Sequence, residues 1–559
     1  MAVSFHARSA WAASRATAPM RSRGLLAYWR SAQRRLASAP VAVSAASGVA
    51  DMGAVGTPRY LKLPIVSEEA STVLAEMPAL VLSGAAASHA SNATRHCLGD
   101  LCATDASASG STEAERDEVP LEPDVHFAEL ANGVRIAAVD RGGLCSSIGL
   151  FVHSGSRYEQ EETACLPHAL ELMAFRSSGH LSQLRTLKTL EQLGAAATCR
   201  VGREDILYQV DSLREYVPVV LPLMLANLLC PSLLPEEVSA SHDHVLEVQQ
   251  NIQENPETLL CELLHVAGYK GNTLGNHLYA NEKDIAAITP ENIQNFIKTR
   301  CTPDRLILVG VNVDFDELCK WTARSFAEQG AALEAPAASL PAVTPAVYTG
   351  GDLRIEQPNP LCHLMLGWEV EKGWNGPSLA AVTVLQMFLG GGGSFSTGGP
   401  GKGMHTRLYT EVLNRHPWVE SCQASSVMYA DSGLFTIYAT VVPKHAGEFI
   451  DVLMRIFTSL KSTSEVELQR AKNALKSSIH MNLEMRAVMM EDVGRQLVLA
   501  GKVGTAREFG RMIDAVTAAD LLNVLRQCLK TQPTVVSFGA IESVPSYEQI
   551  QKKFANGIP

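Results

Sequence analysis

The chain has 559 residues, of which 46% are hydrophobic and 19% charged, and a formal net charge of −11. That length predicts two or more domains. The acidic balance argues against nucleic-acid binding and suits a basic partner or substrate.

Residues 1–50 carry seven arginines (8, 15, 21, 23, 30, 34 and 35) and neither Asp nor Glu. With Trp11, Leu25, Leu26, Tyr28 and Trp29 interspersed, this acid-poor stretch predicts a mitochondrial transit peptide, removed shortly after Arg34 and Arg35. It contributes +7 of the formal charge, leaving −18 on the rest. Residues 51–124 are dominated by Ala, Ser, Gly and Thr and read as a low-complexity extension. His96, Cys97 and Cys102 lack a second pair of ligands at a suitable distance, which argues against a metal site. The twelve cysteines are scattered without paired spacing, and in a reducing matrix they read as free and mostly buried. The most apolar run, Val217 to Leu234, is broken by Pro218, Pro222, Asn227 and Pro231. It predicts a buried helix and not a membrane span.

From Val125 the pattern becomes globular, and one unit recurs. In residues 125–330, strands at Val134–Val139 and Ile148–Val152 precede helices at Leu166–Phe175 and Thr186–Leu193. Two strands follow, the second at Asp205–Val210, then helices from Val217 and Ser239, a helix at Ile293–Thr299 and a strand at Arg305–Gly310. In residues 350–559 a strand at Leu361–Trp368 precedes a helix at Ser378–Leu389, a glycine-rich loop and a helix at Thr406–Asn414. Strands at Val419–Tyr429 and Gly433–Thr440, helices at His445–Leu460, Glu465–Leu497 and Leu521–Cys528, and a strand at Thr534–Gly539 complete it. The fold class is therefore α+β, two copies of one unit joined by an Ala/Pro-rich hinge at residues 331–349.

The glycine loop is the most unusual stretch. Eight of the fourteen residues from Gly390 to Gly403 are glycine, a composition that gives up packing and is costly to order. It is not a P-loop: Ser396 stands where the first glycine of that motif belongs, and Gly403 follows Lys402. Nor does it supply the three-glycine dinucleotide fingerprint after a strand. Bare backbone offered to an extended peptide is the better reading.

Pro167 opens a helix bearing His168, Glu171 and Leu172. The inverted zinc-peptidase motif H-x-x-E-H sets two histidines at i and i+4 on one helix face, with a glutamate between them as base. Here Leu172 replaces the second histidine, and leucine cannot ligate zinc. Glu247, on a later helix, is the candidate for the third ligand, with His242 and His244 nearby. These residues read as a degenerate remnant, with no metal bound.

The stretch from Leu389 through Gly390, Gly391, Gly392, Gly393, Ser394, Phe395 and Ser396 to Gly398, Gly399, Pro400, Gly401, Lys402, Gly403 and Met404 resembles the signature of the processing-peptidase alpha-subunit family. So do Gly155–Glu159, Pro256 and Glu257 with Glu262–His265, Tyr348–Gly351, and Ala471–Ser478. The resemblance spans Val125 to Gly539. It implies a pitrilysin-type fold, two homologous domains of mainly antiparallel sheet and helices, forming half of a clam-shell heterodimer. It further implies a catalytically silent subunit without a cofactor of its own, paired with a beta subunit that carries zinc. Presequences of mitochondrial precursors would be captured by the loop, through Gly390–Phe395, Gly398, Gly399, Gly401, Lys402 and Gly403. Relatives of this family also serve as core subunits of complex III, so other subunits of that complex are alternative partners. The implied location is the mitochondrial matrix or the matrix face of the inner membrane.

Overall fold

The computed structural model describes residues 125–160, 163–270, 273–328, 344–393 and 404–556. The expected transit peptide, the extension 51–124, most of the hinge, and Ser394 to Gly403 lie outside the described residues.

Two six-stranded sheets form the frame. The first contains β1 (His126–Glu129), β2 (Arg135–Val139), β3 (Cys145–Val152), β4 (Ala196–Val201), β5 (Ile206–Leu213) and β6 (Leu306–Val311), in the order β1-β2-β6-β3-β5-β4. The second contains β7 (Gly351–Glu356), β8 (Cys362–Glu371), β9 (Gly391–Gly393), β10 (Val419–Met428), β11 (Ser432–Val441) and β12 (Thr534–Gly539), in the order β7-β12-β8-β11-β10-β9. Each sheet has one parallel pair, β2 with β6 and β7 with β12, among antiparallel neighbours. Five strands correspond one to one between the sheets. Each sheet then adds one strand, at opposite ends: β1 in the first and the glycine strand β9 in the second. Neither was legible beforehand, because β1 is short and mostly exposed, and three glycines carry no strand propensity.

The helices of the first half are α1 (Leu166–Leu172), α2 (Gln183–Gln192), α3 (Val217–Leu229), α4 (Pro235–Glu254), α5 (Pro256–Tyr269), α6 (Pro290–Arg300) and α7 (Phe315–Glu328). Those of the second are α8 (Leu379–Leu389), α9 (Ala446–Ser459), α10 (Glu465–Leu483), α11 (Arg486–Ala500), α12 (Ala506–Ala515), α13 (Ala518–Lys530) and α14 (Tyr547–Asn556). Leu408–Leu413 forms a π-helical turn where a plain helix was expected. As its composition predicts, α3 is buried nearly all round, with Pro218 in its first turn. Among the described residues no helix is long and apolar enough to cross a membrane.

One face of each sheet packs on helices of its own half. α1, α3, α6 and α7 cover the first sheet, and α8 to α10 and α12 to α14 the second. The other faces are covered by exchange. Leu260, Leu264 and Ala267 of α5 pack on Met365, Val536 and Phe538 of the second sheet. Met489, Met490, Val493 and Leu497 of α11 pack on Ala137, Phe151, Ile307 and Val309 of the first. Burial on both faces explains why β8 and β11 read as apolar runs without alternation.

The single helix expected over Glu465–Leu497 is therefore two, broken at Glu484 and Met485. The break serves packing, since α10 stays on the second core while α11 crosses to the first sheet. The end of the hinge is docked. Tyr348 Oη donates to Gly367 O, and Thr349 N–H donates to Gly268 O at 2.8 Å. All ten described cysteines are free, five buried and five half-buried.

Candidate functional site

The degenerate motif sits where Cys165, with a left-handed backbone (φ 64°), starts α1. His168 is buried, and its Nδ1 accepts the Ala280 N–H at 3.1 Å. That bond leaves the ring proton on Nε2. Tyr279 stands edge-on at 5.5 Å, and burial holds the imidazole down at about 4. Glu171 Oε2 accepts the Val201 N–H at 3.3 Å. Desolvation pushes its carboxyl up to about 7, against that hydrogen bond and the charge of Arg200. Leu172 packs against the apolar core.

Glu247 departs from the expectation. Its side chain is 70% exposed and lies 3.6 Å from His244 on its own helix. The residue of α4 that reaches toward His168 is Gln249, whose Nε2 donates to Ala280 O at 3.0 Å and to Asn281 Oδ1 at 3.3 Å. The same Ala280 thus bonds both side chains. Sequence reasoning missed Gln249 because the helix register was fixed only by the packing. His242 is likewise engaged elsewhere, 3.0 Å from Ile288 O. An imidazole with Nδ1 occupied, a carboxyl, a leucine and an amide do not fit zinc, which takes three protein ligands plus water in such sites. Among the described residues no three His, Cys, Asp or Glu side chains come together as a metal site.

The glycine segment lies on the second sheet. α8 ends at Gly390 (φ 60°, ψ −123°), and β9 runs antiparallel to β10. Gly391, Gly392 and Gly393 face Gln423, Cys422 and Ser421 in turn. Gly390 O accepts the Ala424 N–H at 2.9 Å, and Gly391 N–H donates to Thr406 Oγ1 at 3.2 Å. A Cβ on Gly390 would meet Thr406 Cγ2 at 2.4 Å, and one on Gly391 would meet Cys422 O at 2.0 Å. The first two glycines are therefore required by close approach and by positive φ, and Gly392 by its φ of 152° alone, whereas a Cβ on Gly393 meets nothing. Among the described residues β9 ends the sheet, so its outer row of N–H and C=O groups, apart from the Gly391 N–H held by Thr406, forms the sheet edge. The expected site residues Ser394, Phe395, Gly398, Gly399, Gly401, Lys402 and Gly403 lie outside the described residues.

The other singled-out motifs serve structure, Arg157 and His265 tying the halves together and Glu262 and Lys472 bracing their own. Arg157, almost wholly buried, donates to Glu204 at 2.6 Å and to both oxygens of Asp431 at 2.7 and 2.5 Å. It also reaches Thr344 O in the hinge at 3.2 Å. Glu262 of α5 pairs with Arg203 and accepts the Leu278 N–H. His265 lies 2.8 Å from Tyr429 Oη of the second half. Lys472 donates to Asp514 O at 3.0 Å.

Two six-stranded sheets of one topology, with an altered inverted motif on the first, define a chain of peptidase architecture. The family described as Insulinase (Peptidase family M16) matches residues 135–282, and that described as Peptidase M16 inactive domain matches residues 287–475. The mitochondrial-processing peptidase subunit alpha of Solanum tuberosum is 36% identical over 431 residues, 76% of this chain and 84% of that protein. The subunit alpha of Bos taurus is 34% identical over 442 residues, and the probable one of Schizosaccharomyces pombe 33% over 461. These cover 76% and 78% of this chain, and 84% and 90% of the relatives. The chain belongs to the mitochondrial-processing peptidase alpha-subunit family of the M16 peptidases. Its fold is also that of a chain in the solved Complex III2 from Candida albicans, Inz-5 bound, with TM-score 0.65 and 18% identity over 77% of this chain and all of that one.

Proposed function

We propose that this chain is the non-catalytic, substrate-recognising subunit of a mitochondrial processing peptidase. It binds presequences of imported precursors in the matrix, and a zinc-bearing beta subunit cleaves them. The observation that carries the reading is the glycine strand Gly391–Gly393 at the end of the sheet among the described residues, whose edge beyond the Gly391 N–H held by Thr406 can take an extended peptide as a further strand. Leu172 and Gln249, in place of metal ligands, support a silent first half that leaves hydrolysis to the partner. The formal charge of −18 beyond residue 50 suits Arg-rich presequences.

The test is cleavage of an Arg-rich presequence peptide by the chain alone, by the beta partner alone, and by the two mixed. Activity is expected only in the mixture. Equal activity of the partner alone would reject the recognition role. A second reading, a core subunit of complex III, draws on the likeness of fold to a chain of that complex. Co-migration with a cytochrome complex on a native gel supports it, and migration apart from that complex rejects it.

A further inference from the structure

The face of the second sheet onto which α5 crosses carries a polar strip next to β9. Register sets Ser421 opposite Thr440 and Gln423 opposite Tyr438, with His363 beyond Thr440. Ser421 Oγ donates to Thr440 Oγ1 at 2.9 Å, and His363 Nδ1 lies 3.0 Å from Tyr438 Oη. The first turn of α5 brings one carboxylate to this strip. Glu257, half-buried and belonging to the other half of the chain, accepts from Gln423 Nε2 at 2.5 Å through Oε1. Among the described residues it joins no ion pair. The amide bond orients the carboxylate and leaves Oε2 open to a second donor.

The register of β9 connects this carboxylate to the sheet edge. Gly391 pairs with Gln423 and Gly393 with Ser421, so each pair shares a face of the sheet. A peptide strand added outside β9 would lie about 10 Å from β10, two strand spacings away. Every second side chain of that peptide points to the Gln423 face. Gly391 and Gly393 put no side chain in between, so a long cationic side chain can lie over bare backbone toward Glu257. A short one falls short of it. A planar guanidinium can donate to Oε2 with charge assistance.

We infer that Glu257, oriented by Gln423, is a specificity-determining residue that receives one arginine of an extended peptide held on β9. The inference rests on the peptide-binding reading of the glycine strand given above. It names the carboxylate that reads the peptide's sequence once the backbone is held.

The full chain is titrated with a fluorescent synthetic presequence, and with versions in which each arginine in turn is replaced by citrulline, its neutral isostere. The wild-type chain, Glu257→Gln and a variant with Gly390 to Gly393 all changed to alanine are compared. Glu257→Gln weakens binding about tenfold. At one arginine position citrulline costs the wild-type chain the same factor and costs Glu257→Gln nothing, while Gln423→Ala loses less at that position. The citrulline series on the wild-type chain needs no variant to fold, and a uniform loss at every position there overturns the inference. So does equal citrulline sensitivity in wild type and Glu257→Gln while the glycine variant fails to bind. If the glycine variant binds as wild type does, the reading of β9 is itself wrong and the inference falls with it.

Discussion

At the residue scale, the first half keeps the shell of a hydrolytic motif while its polar groups are turned to structural use. Glu171 has an ordinary carboxyl value in the unfolded chain and one pushed up to about 7 in the folded one. Below about pH 4.5 it is protonated in both states and imposes nothing. As pH rises toward 7 the unfolded chain ionises first, and the folded state loses stability; above 7 the penalty is constant. Glu171→Gln should therefore match wild type in urea unfolding near pH 4 and exceed it at pH 8, by about 3 kcal/mol. No gain at pH 8 would mean that Glu171 ionises freely where it stands. Leu172→His should leave the purified chain without stoichiometric zinc by plasma emission analysis, because Ala280 N–H occupies His168 Nδ1 and Gln249 supplies an amide. About one equivalent of zinc in that variant would overturn this account of the site.

At the element scale, the glycine strand is held by its first residues and free at its last. Gly391→Ala places a Cβ against Cys422 O at φ +107°, which strains the strand by about 1–3 kcal/mol and loosens it from β10. Amide exchange at Ser421 to Gln423 should speed up in that variant, and presequence affinity should fall. Gly393→Ala meets no atom within 4 Å and should leave exchange unchanged. Equal exchange in both variants would show that close approach is not what selects glycine there. The long helices α3, α8 and α9 and the strands β8, β10 and β11 followed the periodicity of the sequence, whereas β7, α7, α12 and α14 were not legible in it and the run Glu465–Leu497 split into α10 and α11. No glycine or proline marks that break, and the chain bends because its two parts serve different sheets.

At the scale of the whole molecule, each half completes the other. α5 and α11 cross between sheets, and two glycines make the second crossing close: a Cβ on Gly494 would meet Phe151 at 2.0 Å, and one on Gly149 would meet Met490 at 2.0 Å. Arg157 fastens the arrangement among Glu204, Asp431 and the hinge. Arg157→Ala leaves Glu204, only 3% exposed, without its cation. It should destabilise the chain by about 3–5 kcal/mol in urea unfolding, and a change within about 0.5 kcal/mol would show the network to be dispensable. The excess negative charge acts over the same scale, so presequence affinity should fall as ionic strength rises. An affinity independent of salt would remove charge from the account of recognition.

The two-fold repetition, the α+β class, the glycine stretch and the loss of a ligand at Leu172 were all legible in the sequence. Each is written in local pattern: alternation, helical period, composition, or one residue type at a fixed spacing. What local pattern cannot carry is which distant residues meet. That Gln249 and not Glu247 shares Ala280 with His168 depends on the rotation of α4 against its neighbours. That three glycines form a strand depends on the existing edge of β10, since glycine has no preference of its own for extended backbone. That Glu257 stands beside that strand depends on α5 crossing to the other half's sheet, 166 residues along the chain from Gln423. Only the tertiary structure decides such contacts, because burial and close packing select the partners among many that the sequence permits equally.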